Sequence, residues 1–363
     1  MQDENGKLSR RDAIKIGVGA GVALTLDRFP AFAAVPSAAR KATTAAATVT
    51  SPAQGRAGLI MRAIPSSGER IPVIGIGTAR NYENPTPEQI PPLRDVMRQF
   101  PTLGGRVLDT APSYGRAEIV AGDIMAELGN RDAYFIATKV SVRGGAGKEA
   151  AEAQMSESLN RFHTDHIDLM QVWNLSAPET LLPVLNEWKA AKKIRYTGVT
   201  TSNDSQYAAV EALMKAQKFD FVQIDLAIDN RNAQERIIPL ASAMGMAVMI
   251  NLPFGRGRPF QKVQGKPLPG WAKDIDCATW AQVFLKYIVG NVAVTCVIPG
   301  TETVEHRPTT SAQPWGGCLT PPCGSGLSRI STRYSRYIGR TGGDRFRLCR
   351  WPRGCVPRSS GSW

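Results

Sequence analysis

The chain has 363 residues, 43% of them hydrophobic and 21% charged, enough for one large core or two small ones. A formal charge of +13 invites a nucleic-acid reading, but residues 307–363 carry ten Arg, no Lys, one Asp and no Glu, which leaves only about +4 for the rest. The body has no basic stripe interleaved with aromatics, so nucleic acid is not an expected partner. No cysteine pair has zinc-ligand spacing backed by His, so no metal site is expected.

In chain order, the first feature is Ser9-Arg10-Arg11, followed by Lys15 and an apolar run over 16–26. Ala31-Phe32-Ala33 offers a small-x-small cleavage site. Residues 1–33 therefore read as a twin-arginine signal cleaved near Ala33, with the export machinery as a partner and a periplasmic or exported product. The apolar run is too short and too rich in Gly for a stable membrane span. That route carries folded proteins, so a cofactor can be loaded before export. Residues 34–57, rich in Ala, Thr and Ser, read as a flexible linker.

Beyond the linker, apolar runs at 59–64 and 71–74 flank Ser67-Gly68 and predict a hairpin. Short apolar strands then follow at 73–78, 106–109, 133–138, 167–173, 194–199, 220–225, 246–251 and 292–298. Between them lie segments such as 150–162, 177–191 and 204–217, whose apolar residues recur three and four apart, as on a helix face. Eight strands alternating with helices predict a (β/α)8 TIM barrel with an N-terminal hairpin. The strands are nearly all apolar, as strands buried on both faces should be. An open doubly wound sheet is the alternative, but no G-x-G-x-x-G follows the first strand.

In a barrel of this kind the active site sits at the C-terminal ends of the strands. Asp109, Lys139, Trp173, Thr200, Gln223 and Asn251 all fall there. Asp109 ends one strand, and the turn formers Pro112, Ser113 and Gly115 carry the chain past Tyr114. Lys139 ends the next strand. An acid, a phenol and an ammonium at neighbouring strand ends make a proton-transfer set, because the ammonium favours the phenolate and the carboxylate anchors the ammonium. His163 and His166 precede their strand and read as surface or loop residues. Gly255-Arg256-Gly257-Arg258 offers close backbone approach and positive charge to a phosphate.

The segments Leu108-Asp109-Thr110-Ala111-Pro112-Ser113-Tyr114-Gly115 and Phe135-Ile136-Ala137-Thr138-Lys139-Val140 resemble the aldo-keto reductase family, a likeness that extends over about 61–306. The resemblance implies hydride transfer from NADPH, with NADH not excluded, to a small aldehyde, ketone or sugar-like carbonyl. Tyr114 would give the proton, Lys139 would ease its release and Asp109 would hold Lys139. Trp173 occupies the place of the family's His; an indole can donate but cannot shuttle a proton. Thr200 and Thr201 would hold the nicotinamide amide, where the family usually has Ser-Asn, and Gln223 would bind the same amide. Asn251 stands where many members stack an aromatic ring. Pro253, Gly255, Arg256 and Gly257 would close over the pyrophosphate, and Gly300 and Thr301 would begin the adenosine-phosphate site. Two other functions fit parts of the pattern. Trp173 suits a non-catalytic barrel that binds a nucleotide or a partner. Tyr114 and Lys139 alone would suit an isomerase or lyase without nicotinamide.

After His306 the character changes. Residues 307–363 are rich in Arg, Pro, Gly, Ser and Cys and show no helical periodicity, so the family's last barrel helix and C-terminal loop are not visible. A disordered basic tail is one reading. A frameshift accounts for more: back-translated with free third positions and read two bases later, 307–324 permits a helix-compatible run that resembles the family's missing helix. The break in local-to-global consistency points the same way.

Overall fold

The computed structural model describes residues 59–142, 147–300 and 333. The signal segment, the linker, Thr301, the expected missing helix and, apart from Arg333, the 307–363 tail lie outside the described residues.

The first elements are β1 (Met61–Ala63) and β2 (Arg70–Pro72), an antiparallel hairpin with Met61 opposite Pro72. Its turn forms where Ser67-Gly68 predicted it: both backbone N–H groups donate to the Ile64 carbonyl, at 3.2 and 2.8 Å. Ile64 and Ile71 are buried in one apolar cluster with Phe135, Tyr196 and Phe221. The hairpin thus closes the N-terminal end of the barrel. Glu69 ties it down, accepting from the Tyr196 hydroxyl at 2.7 Å and pairing with Arg195, which also donates to Asp168 at 2.6 Å.

The barrel follows, each strand separated from the next by one or two helices: β3 (Ile76–Gly77), α1 (Ile90–Thr102), β4 (Val107–Asp109), α2 (Ala117–Leu128), β5 (Phe135–Val140), α3 (Lys148–Arg161), β6 (Ile167–Trp173) and α4 (Pro178–Ala190). It continues with β7 (Ile194–Thr200), α5 (Tyr207–Ala216), β8 (Phe221–Asp225), α6 (Asn232–Glu235), α7 (Ile237–Ala243), β9 (Ala247–Asn251), α8 (Arg258–Val263), α9 (Trp280–Val289) and β10 (Cys296–Val297). Strands β3 to β10 pair in sequence order, all parallel. The ends of the sheet meet: Ile74 bridges Val297 and Gly77 bridges Gly300, with Gly75 N–H donating to Val297 O at 2.8 Å and Gly77 N–H to Pro299 O at 2.9 Å. Glycine is needed at this seam, because a Cβ on Gly77 would lie 2.9 Å from the Ile298 carbonyl oxygen. Closure excludes the open doubly wound sheet.

All eight expected strands form, but the first and the last are shorter than their apolar runs: of 73–78 only Ile76–Gly77 is strand. In place of a strand over 292–298, only Cys296–Val297 pairs. Asn291 intervenes: its Oδ1 accepts from Ala293 N–H at 3.1 Å and its carbonyl from Val294 N–H at 3.0 Å, which turns the chain and leaves Val292 76% exposed. Apolar content alone could not reveal this turn. The helices expected at 150–162, 177–191 and 204–217 are α3, α4 and a short 3-10 turn leading into α5.

A strand sends alternate side chains to opposite faces. Val107, Phe135, Ala137, Leu169, Tyr196, Phe221, Ala247 and Met249 share the inner cluster. The same two-residue period carries each strand's inner face upward to Asp109, Lys139, Gln171 and Trp173, Thr200, Gln223 and Asp225, and Asn251.

Candidate active site

At the C-terminal mouth, Asp109 and Lys139 are 3% and 2% exposed. Lys139 Nζ donates to both Asp109 carboxylate oxygens, at 2.9 and 2.8 Å, and to the Thr110 carbonyl at 2.5 Å. Burial by itself would lower the Lys139 pKa, but the Asp109 carboxylate and the Tyr114 phenol outweigh it and the net shift is upward, so the ammonium persists. Its Nζ lies 5.3 Å from the centre of the Tyr114 ring.

Tyr114 is half-buried, in a tight loop whose N–H donates to Ala111 O at 3.0 Å. The next residue, Gly115, has φ +52°, and a Cβ there would meet the Glu83 carbonyl at 2.7 Å, so no other residue lets this loop close. Trp173 faces Tyr114 edge-on, with ring centres 6.4 Å apart at 86°. After Trp173 the chain passes through left-handed backbone at Asn174, Leu175 and Ala177, with φ of 47°, 53° and 42°. Such residues cost on the order of 1–3 kcal/mol each and cluster at functional loops. Ser176 secures the turn, its N–H donating to Trp173 O at 2.9 Å and its hydroxyl to Val142 O at 2.7 Å.

Gln223 is wholly buried, and its Nε2 donates to Asp109 Oδ1 at 2.8 Å. Its Oε1 accepts from the Thr200 hydroxyl, also at 2.8 Å. Thr200 and Gln223, expected to bind the nicotinamide amide, are thus joined to the carboxylate that holds Lys139. The Thr201 hydroxyl donates to Gln206, and Asn251 Nδ2 donates to the Thr201 carbonyl at 3.3 Å. Asn251 Oδ1 is buried and has no partner among the described residues.

A cleft of about 240 Å³ opens beside this set, between the loops that follow β7, β8 and β9. Asp204, Asp225, Asn230, Gly255, Arg256 and Arg258 are among its lining residues. Gly255 has φ +53°, and a Cβ there would come 2.9 Å from Asp229 Oδ1. Arg258 is committed to Asp229, at 3.1 Å, whereas Arg256 has no acidic partner among the described residues. Pro253 is buried, Gly257 follows Arg256, and Gly300 sits at the barrel seam. His163 is exposed and His166 half-buried, and they pair with Asp123 and Asp165.

Two residues escaped the sequence reading. Asp225 accepts from the Tyr207 hydroxyl at 2.8 Å and from Asn230 Nδ2 at 2.7 Å, and burial pushes its pKa up. Gln171 is fully buried, and neither polar atom of its amide has a partner among the described residues. The two-residue period would have found both, since each lies two positions from a residue already placed on the inner face.

A closed (β/α)8 barrel with a buried Asp–Lys pair and a tyrosine at its mouth defines a barrel protein equipped for acid–base chemistry. The chain belongs to the aldo/keto reductase family, whose family model matches residues 73–309. It is 29% identical to methylglyoxal reductase DkgB of Yersinia pestis over 225 residues, 60% of this chain and 78% of that one. It is 28% identical to norsolorinic acid reductase B of Aspergillus parasiticus over 185 residues, 44% of this chain, and spans about half (47%) of that protein's length. Among solved structures, an aldo-keto reductase of Klebsiella pneumoniae in complex with NADPH superposes with a TM-score of 0.62 at 24% identity, over 76% of this chain and 96% of that one. An aldo-keto reductase of Bacillus halodurans in its holo form superposes with a TM-score of 0.60 at 20% identity, over 76% of this chain and 96% of that one.

Proposed function

We propose that the protein is an NADP(H)-dependent carbonyl reductase in which Tyr114 is the general acid. The observation that carries this is the Asp109–Lys139 pair, with its ammonium 5.3 Å from the Tyr114 ring. In the reaction Tyr114 gives its proton to the carbonyl oxygen. The Lys139 ammonium stabilises the phenolate that remains, and Asp109 keeps the ammonium from drifting. Trp173 walls the pocket and offers one N–H; it cannot relay a proton.

The site's residues fit a nicotinamide dinucleotide. Asn251 Oδ1 is a buried acceptor in need of a donor, which a carboxamide N–H would supply. Arg256 and the glycines on either side of it offer charge and close approach to a pyrophosphate. At about 240 Å³ the cleft is below the roughly 300–1,000 Å³ of whole ligand pockets, so it suits a phosphate-bearing part of the molecule. When bound, the reduced nicotinamide supplies hydride to the carbonyl carbon. The Klebsiella structural neighbour is complexed with NADPH, which supports NADP(H), and an NADH-specific methylglyoxal reductase of Escherichia coli among the relatives keeps NAD(H) open. The likeness to a methylglyoxal reductase supports a small aldehyde or ketone as substrate. The Arg10-Arg11 segment supports export of the folded protein with its cofactor.

The test is NADPH oxidation with a panel of small aldehydes, beside NADPH binding followed by fluorescence. Tyr114→Phe should lower kcat by about 10²-fold or more while binding is kept, since only the phenol proton is lost. A folded sample that binds NADPH without turnover would make this a nucleotide-binding barrel. No binding at all would favour an isomerase or lyase.

A further inference from the structure

Gln223 is buried on the inner face of β8, and Asp109 is on β4, opposite it across the closed barrel. No ladder hydrogen bond joins these strands; only a side chain long enough to cross the interior does. Every polar atom of the Gln223 amide is engaged. Nε2 donates to Asp109 Oδ1 at 2.8 Å and lies 3.1 Å from Met249 Sδ, and Oε1 accepts from the Thr200 hydroxyl at 2.8 Å. The orientation of the amide is forced. An ionised carboxylate only accepts, so the NH2 end must face Asp109, and the oxygen left facing β7 needs a donor there. Thr200 supplies it.

We infer that Gln223 is a positioning residue for the proton-transfer set: from the opposite wall it fixes the Asp109 carboxylate, and through it the place of the Lys139 ammonium beside Tyr114. Thr200 selects which end of the amide is presented. This function differs from the contact with the nicotinamide amide that the family resemblance implies. Its catalytic consequence rests on the reductase reading, but the geometry it describes exists without cofactor.

The charged and titratable groups around the set are few. Tyr114 is faced by Lys139, with the Trp173 ring edge-on. Lys139 is faced by Asp109, by Tyr114 and, from α2, by Glu118. Asp109 is faced by Lys139 and, from β10, by the buried Cys296 thiol. Removing the Gln223 donor leaves Glu118 and Cys296 as they are. It makes the Asp109 carboxylate a stronger acceptor, which draws the ammonium toward Asp109 and weakens its field at the phenol.

The experiment uses Gln223→Met, which keeps the volume and removes the amide, and Thr200→Val, which removes only the hydroxyl. Phenol ionisation at position 114 is followed by ultraviolet difference absorbance in the cofactor-free protein, with Tyr114→Phe as the blank. The pH profile of kcat/KM for aldehyde reduction is recorded in parallel. In Gln223→Met the Tyr114 phenolate signal should move to higher pH by about half a unit to one unit, and the alkaline limb should follow it. Thr200→Val should move both the same way by less. If Gln223→Met raises only the KM for NADPH while the absorbance titration stays in place, Gln223 serves the cofactor and the inference falls. If Gln223→Met does not fold, an unmoved titration in Thr200→Val overturns the inference equally. Absence of turnover in the unaltered protein would sink the reductase reading alone, because the cofactor-free titration still decides the position of Gln223.

Discussion

Lys139 is where burial and pairing compete most directly. Both ions of the Asp109–Lys139 pair have left water almost completely, so the pair persists through three close hydrogen bonds on the ammonium and the Gln223 donor on the carboxylate. Lys139→Met should destabilise the fold by about 3–5 kcal/mol, since it strands a buried carboxylate; Asp109→Asn together with Lys139→Met should recover much of that, as urea unfolding would show. The pH dependence follows from the upward shift. The folded pKa of Lys139 lies above its ordinary 10.5, so the pair's contribution is fully present below that pH and is lost as pH rises through the higher folded value. The urea midpoint should therefore fall above pH 10.5, and that part of the fall should be missing in Lys139→Met. At the neighbouring position, Trp173→His restores a ring that can carry a proton. It should raise kcat for small aldehydes by roughly tenfold or more, and an unchanged kcat would mark position 173 as pocket wall alone.

Helix packing around the barrel depends on small residues where helices touch. A Cβ on Gly122 of α2 would lie 1.9 Å from the Arg161 carbonyl at the end of α3, a backbone atom that cannot swing aside. Gly122→Ala should cost at least about 1–3 kcal/mol, read as a lower melting temperature with kcat little changed, because the strand ends stay in place. Beneath this contact Glu118 is buried with Thr138, Ser158 and Arg161 around it, at 2.6, 3.0 and 3.1 Å. Burial pushes its pKa up, against those bonds. Elements of this kind were legible in the sequence wherever a period persisted long enough to show. The helical spacing of Lys148–Arg161 does so, whereas the strand Phe135–Val140 showed as a short apolar run ending on Lys139. The turn at Asn291 was not legible, because it depends on one side chain bonding a backbone N–H two residues on.

For the molecule as a whole, the hairpin is what makes a barrel with one open end. Its Ile64 and Ile71 fill the floor beside Phe135, Tyr196 and Phe221, and Glu69 locks it through Arg195 and Tyr196. Ile71→Ala should cost about 2–5 kcal/mol in urea unfolding, as buried aliphatic truncations do. Aldehyde reduction below the melting temperature should persist, since floor and mouth lie at opposite ends of the strands. Loss of activity in a still-folded Ile71→Ala would show that floor packing reaches the Asp109–Lys139 layer.

By itself the sequence determined the alternation of strands and helices, the hairpin, and the strand ends Asp109, Lys139, Trp173, Thr200, Gln223 and Asn251. These depend on short apolar runs and on apolar spacings of three and four, which neighbouring residues encode. The Asp109, Tyr114 and Lys139 set was legible for the same reason: each sits where an apolar run stops. Only closure of the sheet decided that Gln223 meets Asp109, that Gln171 is buried with an unpaired amide and that Asn251 keeps a bare acceptor beside the cleft. Such contacts join strands on different walls, and side-chain reach across a closed interior is a property of the barrel's diameter, which no stretch of sequence spells out.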